Sequence, residues 1–392
     1  MLGISEILQF LVLFSLGFPL FVFGLYGIIL LYYGKQSRAG HRSESESGKN
    51  IEFEPTVSVV IPTHNEGAVI SKRIENLLNS SYPKDKFEMI FVDDSSDNTP
   101  DIIREYSRRF SNIRLIRFDK RMGYSPSLIA GCKAAESEIV VFAEAGSFLD
   151  EQAIAYLVTN FRNPNIGVVT GNDVILNVNE EVGKSEDLYQ KVYNFVRTAE
   201  SNMDSTIYMK GEAAAVRKHL IEDLKELERV PGTADTAIGL LVRKRGYRFV
   251  YDPRVKFYEY APSTRRGRIR QKVIRGANLI KVLWEFRSMF FRREYGLFGM
   301  ITLPFSFAML ALVPLSLLVG IFSLILLTPI NPAFSYLMWI LIGSLFLLAL
   351  LYSKHFVLTF LEFEYSLLKA LYETFFVRKT HDKIDKVAST RR

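Results

Sequence analysis

Apolar residues along this chain fall into three patterns. Long runs without a single charge occupy Leu8–Tyr33, Phe298–Leu327 and Phe334–Tyr352. Each is long enough to cross a hydrocarbon layer of about 30 Å. Short β-branched runs occupy Val57–Ile61, Phe87–Val92, Ile113–Arg117, Ile139–Ala143 and Ile166–Thr170. Segments of helical period separate the first four, over about Glu66–Asn79, Pro100–Phe110 (with Thr99 placed to cap it) and Ser125–Ala135. This alternation predicts parallel strands with right-handed crossovers. Further on, Ser185–Glu200 reads as a helix, and Arg245–Pro253 as a turn, a strand and a turn. The third pattern is amphipathic. Between Arg265 and Phe291, Ile269, Val273, Ala277, Ile280, Trp284 and Phe291 recur at helical spacing, opposite Arg268, Lys272, Arg275 and Lys281. That predicts a helix on a membrane surface, basic side toward headgroups or phosphates; the other reading is a core helix of a soluble domain.

Charge changes the picture by orienting it. The formal net charge is +7. Lys35, Arg38 and Arg42 follow the first run, Arg287, Arg292 and Arg293 precede the second, Lys354 follows the third, and the tail ends Arg391-Arg392. Residues 1–7 and Thr328–Ser335 hold no Lys or Arg. Three spans then place the N-terminus outside, and the soluble part and C-terminus in the cytoplasm. A fourth span over His355–Val377 would bury Glu362, Glu364, Lys369 and Glu373 in lipid, so that stretch reads as an interfacial helix. The first run is too long for a cleaved signal and lacks a basic leader. Basic residues gathered at membrane flanks point to anionic lipid headgroups, not nucleic acid. One cysteine, Cys132, allows neither an intrachain disulfide nor a thiolate metal cage. The expected organisation is a membrane helix over 1–38, a flexible Ser/Glu/Gly linker over 39–54, a cytosolic α/β domain over 55–262, amphipathic interface helices over 263–296, two membrane helices over 297–353, and an interfacial helix with a basic tail over 354–392. Nothing in the pattern sets an oligomeric state.

Chemistry collects where strands end. Strand Val57–Ile61 runs into Pro62-Thr63-His64-Asn65-Glu66, and strand Phe87–Val92 into Asp93-Asp94-Ser95-Ser96-Asp97-Asn98-Thr99. In an open α/β sheet ligands bind at that edge. Grouped carboxylates there are costly unless they bind a hydroxyl, a base-edge donor or a metal; helix capping by Asp97 or Thr99 is compatible with either. Three further motifs follow, at Arg121–Leu128, Glu144-Ala145-Gly146 and Gly232-Thr233-Ala234-Asp235, and Gln271–Arg275 lies on the amphipathic segment.

In this order the motifs resemble the membrane-bound inverting family 2 glycosyltransferases, which include cellulose, chitin and hyaluronan synthases and polyprenyl-phosphate sugar synthases. The resemblance spans about Pro55–Trp284. It implies a GT-A, Rossmann-like mixed sheet with helices on both faces, joined to transmembrane and interfacial α-helices. It also implies transfer of a sugar from a nucleotide diphosphosugar, with uridine the family's usual base, to a lipid-linked or membrane-associated acceptor. By the same resemblance Pro62, Thr63, Asn65 and Glu66 would pack on base and ribose, Asp94 and Asp97 would face the base, and Arg121, Gly123 and Ser125 the diphosphate. Glu144 stands where the family's Asp-x-Asp motif begins and would hold a divalent cation, Mg²⁺ or Mn²⁺; Gly146 replaces the second carboxylate. Asp235 matches the general base. Glu212, Gln271 and Arg275 would line the acceptor or diphosphate side, with Ile274 and Arg275 in place of the Arg-Trp of processive synthases. Two other readings stand beside this one. A non-catalytic membrane subunit on the same fold is suggested by the altered positions Gly146, Ala234 and Ile274. A nucleotidyltransferase would need a Gly-rich, basic loop after the first strand, and Pro62–Glu66 is not one.

Overall fold

A computed structural model describes residues 3–45, 53–221, 234–262 and 264–376. Eight strands form one sheet in the order β3-β2-β1-β4-β7-β6-β8-β5. They are β1 (Val57–Thr63), β2 (Phe87–Asp93), β3 (Ile113–Arg117), β4 (Ile139–Ala143), β5 (Phe148–Leu149), β6 (Ile166–Ile175), β7 (Ala213–Arg217) and β8 (Arg248–Glu259). β1 pairs in parallel with β2 and β4, and β2 with β3. β7 is antiparallel to both β4 and β6, while β8 runs parallel to β6. Six strands therefore end, and β7 begins, at one edge. On that edge the chain leaves β1 toward β2 on one side, with β4 on the other, which makes a topological switch point.

The sheet is buried on both faces, as its near-continuous apolar runs require. Helices α2 (Ile70–Leu78), α3 (Thr99–Arg109) and α5 (Ala153–Thr159) supply apolar side chains to one core, with Ile70, Ile74, Ile103 and Leu157. Helices α4 (Tyr124–Ala134), α7 (Ala234–Lys244) and α8 (Arg265–Glu285) contribute to the other, with Leu128, Leu241 and Val273. α4 lies close on β1 and β2, and a Cβ on Gly131 would sit 2.2 Å from Val60 Cγ1 and 3.1 Å from Val92 Cγ2. Gly131→Ala is therefore expected to destabilise the fold by about 1–3 kcal/mol through overpacking. A lower unfolding midpoint in detergent would show it, and an unchanged midpoint would contradict the packing.

Among the described residues, three helices are long and apolar enough to cross a membrane: Ile4–Lys35, Phe298–Leu327 and Pro332–Lys354. The first belongs to α1 (Ile4–Ser45) and the second is α9 (Phe298–Leu327), which carries π-helical turns at Phe298–Thr302 and Ala308–Leu312. The third is the first arm of α10 (Pro332–Phe376), which bends at Ser353 (φ −159°, ψ 96°). α1 packs on α9 and on α6 (Glu181–Met203). Tyr26 of α1 donates to Glu200 of α6 at 2.6 Å, and Thr206 donates to the other oxygen at 2.7 Å. Burial raises the Glu200 carboxyl to about 7, against these hydrogen bonds.

Several expectations are corrected. The linker expected from Ala39 is helical through Ser45, where no Pro interrupts a helix already nucleated, and residues 46–52 lie outside the described residues. α2 starts at Ile70 instead of Glu66, because Asn65–Gly67 is taken up by side-chain bonds to the loop after β2. Thr99 is not the cap of α3: Asn98 holds that place, and the Thr99 hydroxyl accepts from the Glu66 amide at 2.8 Å. β8 does not stop at Asp252-Pro253. The ladder breaks between Thr170 and Asn172, so the donor-less Pro falls in a bulge.

The basic face of α8 is corrected most. Arg268 and Lys272 do not reach toward headgroups. Arg268 is 2 % exposed and bridges Glu186 of α6 at 2.8 Å and Glu362 of α10, and Lys272 Nζ lies 3.3 Å from Glu186 and over the Tyr189 ring. The second arm of α10 supplies Glu362 because it packs along α8. Burial alone would raise the Glu186 carboxyl, but Lys272 and Arg268 hold it down at about 2. The tail from residue 377 lies outside the described residues.

Candidate active site

The loops after β1 and β2 are laced into one unit. Thr63 donates to Asp93 at 2.8 Å, and Asp93 also accepts from Ser95 and from Arg117, at 2.6 and 3.0 Å. Asn65 sits at φ 54°, a left-handed conformation that Asn tolerates better than most residues. Its side-chain oxygen accepts from the amide of Ser96 at 2.8 Å and that of Asp97 at 3.3 Å. Asp97 in turn accepts from the Gly67 amide at 3.1 Å. Asp94 holds a third loop: its carboxylate accepts from His64 Nδ1 at 2.7 Å and from the amides of Met122 and Gly123 at 2.7 and 3.1 Å. Both Asp94 oxygens are thus engaged inside the protein. The loop they fasten leads straight into α4, whose N-terminus points at the same edge. Arg121 is exposed there, with Pro62 and Ser125 half-buried.

Next to this unit lies an acidic group drawn from four elements. Asp235, in the first turn of α7, accepts from the Thr236 amide at 2.8 Å. Burial raises its carboxyl to about 7; the Thr236 amide opposes the shift and Glu212 and Glu144 add to it. The same carboxylates act on the Tyr124 hydroxyl, which burial first and then Asp235, Glu144 and Glu212 push well above its ordinary range. Gly211 sits where no side chain fits: a Cβ would lie 2.4 Å from the Tyr124 hydroxyl and 3.2 Å from Asp235 Oδ2. Arg275 reaches within 3.7 Å of Glu212 from α8. Burial works to lower the Arg275 pKa, but Glu259, Glu212, Glu186 and Asp173 together raise it above its ordinary value. Gln271 is exposed one turn earlier on α8.

The structure therefore gathers Glu144, Glu212, Asp235 and Arg275, and gathers Thr63, Asn65, Glu66, Asp94, Asp97 and Gly123 beside them. Gly232 and Thr233 of the Asp235 motif lie outside the described residues. Sequence reading missed Tyr124, although it sits inside the Arg121–Leu128 motif. It also missed Arg73, a fully buried arginine on α2 that donates to the Ser147 carbonyl at 2.9 Å. Burial lowers Arg73 to about 9, opposed by Glu144. No sequence signal marks Arg73, since its burial is made by a turn 74 residues away.

Residues 58–224 match the family model for Glycosyl transferase family 2. This segment is a family 2 glycosyltransferase domain. Around the glycosyltransferase domain the chain is similar to poly-beta-1,6-N-acetyl-D-glucosamine synthases. It is 25% identical over 264 residues to that of Staphylococcus epidermidis strain RP62A, covering 66% of this chain and 63% of the relative. The Staphylococcus aureus strain COL synthase is 24% identical over 265 residues, with the same coverage. The chain thus spans under two thirds of the length of these polysaccharide synthases. Among solved structures, the mannosyltransferase PcManGT from Pyrobaculum calidifontis, in complex with GDP-Man and Mn²⁺, aligns with a TM-score of 0.71. It is 22% identical and covers 94% of this chain and 100% of its own. The chain therefore shares the fold of that neighbour.

That neighbour's cation raises the question of fit here. Among the described residues, no three His, Cys, Asp or Glu side chains converge as a ready-made cage. The donor set still suits one hard cation. Glu144, Glu212 and Asp235 repel one another around Tyr124. Mg²⁺ or Mn²⁺ can be held by a single carboxylate when diphosphate and water complete the shell.

Proposed function

We propose that this chain is a membrane-embedded, inverting glycosyltransferase. It moves one sugar from a nucleotide diphosphosugar, a UDP-sugar first, to a hydroxyl of an acceptor at the membrane. The supporting observation is the placing of Asp235, with its raised carboxyl, beside Tyr124, Glu144 and Glu212 at the switch-point edge. In this reading the nucleotide lies on Pro62–Glu66 and Asp94–Asp97, and the diphosphate at Arg121, Gly123, Ser125 and the N-terminus of α4. Asp94 acts by fastening the Met122–Gly123 loop over that place. The acceptor oxygen attacks the anomeric carbon from the face opposite the diphosphate. Its bond to carbon forms as the carbon–phosphate-oxygen bond breaks, the electron pair leaves on the diphosphate, and the hydroxyl proton passes to Asp235. A divalent cation at Glu144, when bound, supplies charge neutralisation on the leaving diphosphate. Arg275 adds fixed positive charge from α8.

The catalytic domain would cover 55–262, with interface helices over 263–296. Three spans, an outside N-terminus and a cytoplasmic domain follow from the one-sided basic flanks. The test is a panel of UDP- and GDP-sugars offered to membranes carrying the chain, with products separated into lipid-soluble and polymeric pools. Binding of none of the nucleotides would leave the non-catalytic subunit as the reading. Glu144→Gln is expected to lower the metal-dependent rate at least about ten-fold. Activity indifferent both to EDTA and to that change would remove the cation from the reaction.

A further inference from the structure

The acceptor needs a holder, and the edge beyond Asp235 carries three charged residues, Asp173, Lys210 and Glu259, that no step above uses. In the β6–β8 ladder Asp173 is opposite Phe257 and Ile175 opposite Glu259. The two carboxylates therefore stand on one face of the sheet, one pleat apart, where these strands end. Lys210 reaches Asp173 Oδ2 at 2.9 Å. Asp173 Oδ1 is buried and has no hydrogen-bond partner, and Asp173 as a whole is 3 % exposed. Glu212 follows Lys210 by two residues and faces Arg275. The set joins the reaction centre, because Glu212 and Arg275 act on the carboxyls of both Glu259 and Asp235.

We propose that Asp173, Lys210, Glu212, Glu259 and Arg275 form the acceptor subsite, and that the acceptor is the hydroxyl-bearing terminus of a sugar chain, free or on a lipid, and not a lipid phosphate. The inference rests on the transferase reading above. Ionised carboxylates only accept hydrogen bonds, whereas Lys and Arg only donate them. Interleaved at one edge, they match neighbouring hydroxyls, each of which does both. Buried Asp173 Oδ1 lacks a donor, which is costly until a ligand brings one. A sugar hydroxyl brings one and a phosphate anion does not. Charge points the same way. Asp173 and Glu212 line the same edge, and Lys210 is already paired with Asp173. Burial and the neighbouring Asp173 push the Glu259 carboxyl well above its ordinary range, so Glu259 can give a hydrogen bond to a hydroxyl as well as take one. An entering phosphate would meet like charge at Asp173 and Glu212.

The experiment uses the full chain in non-glycosidic micelles, with the nucleotide sugar it turns over. Alkyl glycosides, a free oligosaccharide and a polyprenyl monophosphate are compared as acceptors. Transfer to the first or second, with none to the third, is expected, and those two arms separate a glycolipid from a free glycan. Asp173→Asn is expected to raise the acceptor KM by about ten-fold or more, as loss of a charged hydrogen bond does, and Glu259→Ala to raise it by removing the group altogether. Nucleotide affinity by calorimetry, expected near that of the parent, shows that each variant is folded. Transfer to the phosphate, or an acceptor KM within about two-fold of the parent in folded Asp173→Asn, overturns the proposal. Nucleotide bound and hydrolysed with no sugar accepted overturns it alone. No nucleotide bound by the parent overturns the transferase reading with it.

Discussion

Asp235→Asn is expected to cut turnover by about 10²–10⁴-fold, the range for loss of a positioned general base, with little change in nucleotide affinity. The amide keeps the shape, and can still meet the Thr236 amide, but it cannot take a proton. The parent rate should also rise with pH through about 7, since the base must be ionised and burial holds it up to about that value. The variant should lose that limb of the profile. Stability moves the other way. The folded carboxyl lies above its ordinary value of 3.8, so its ionisation disfavours the fold as pH rises from about 4 through about 7. Asp235→Asn should therefore be no less stable than the parent at pH 8. Rate profiles and unfolding midpoints from one preparation check both claims, and unchanged turnover removes Asp235 from the mechanism.

The second large effect is on folding. Arg268→Ala should destabilise the protein by about 3–5 kcal/mol, because Glu186 and Glu362 would lose their shared buried guanidinium. Lys272 stays 3.3 Å from Glu186 and limits the loss on that side. Arg268→Lys should recover only part, since an ammonium cannot fork between two carboxylates. Replacing Arg268 by Met together with Glu362→Gln should lose less than Arg268→Ala, since the uncompensated Glu362 charge goes and Lys272 still faces Glu186. The parent should also weaken in acid. Glu186 contributes fully above its ordinary value of 4.5, and that contribution is lost as pH falls toward about 2. Detergent unfolding of the three variants decides this, and equal midpoints for Arg268→Ala and the parent would sink the account.

What was legible in the sequence follows from where the physics is local. Strands β3 and β4 match their predicted ends residue for residue, because β-branched runs stop sharply at polar turns. The three apolar helices were equally plain. β7 was not foreseen: Ala213-Ala214-Ala215 has no strand signature, and only its two neighbours make it one. In the site, residues on loops after strands could be named because the loops follow directly in sequence. Asp173 and Glu259 were missed because strand propensity ended their elements early, at Thr170 and near Asp252, while pairing carried both strands further. The basic stripe of α8 reads in sequence as facing headgroups or phosphates, or as part of a core helix. A stripe of cations fits an acidic partner of any kind, and here Arg268 and Lys272 meet Glu186 and Glu362 while Arg275 meets Glu212.

Helix α6 is fastened near both ends, by Tyr26 to α1 and by Arg268 to α8 and α10. Two such ties resist rocking of α6 against those helices. On the proposed reading, the height of Asp235 above the membrane is then set as the chain folds and works as a ruler, favouring acceptors whose reactive group stands at that height.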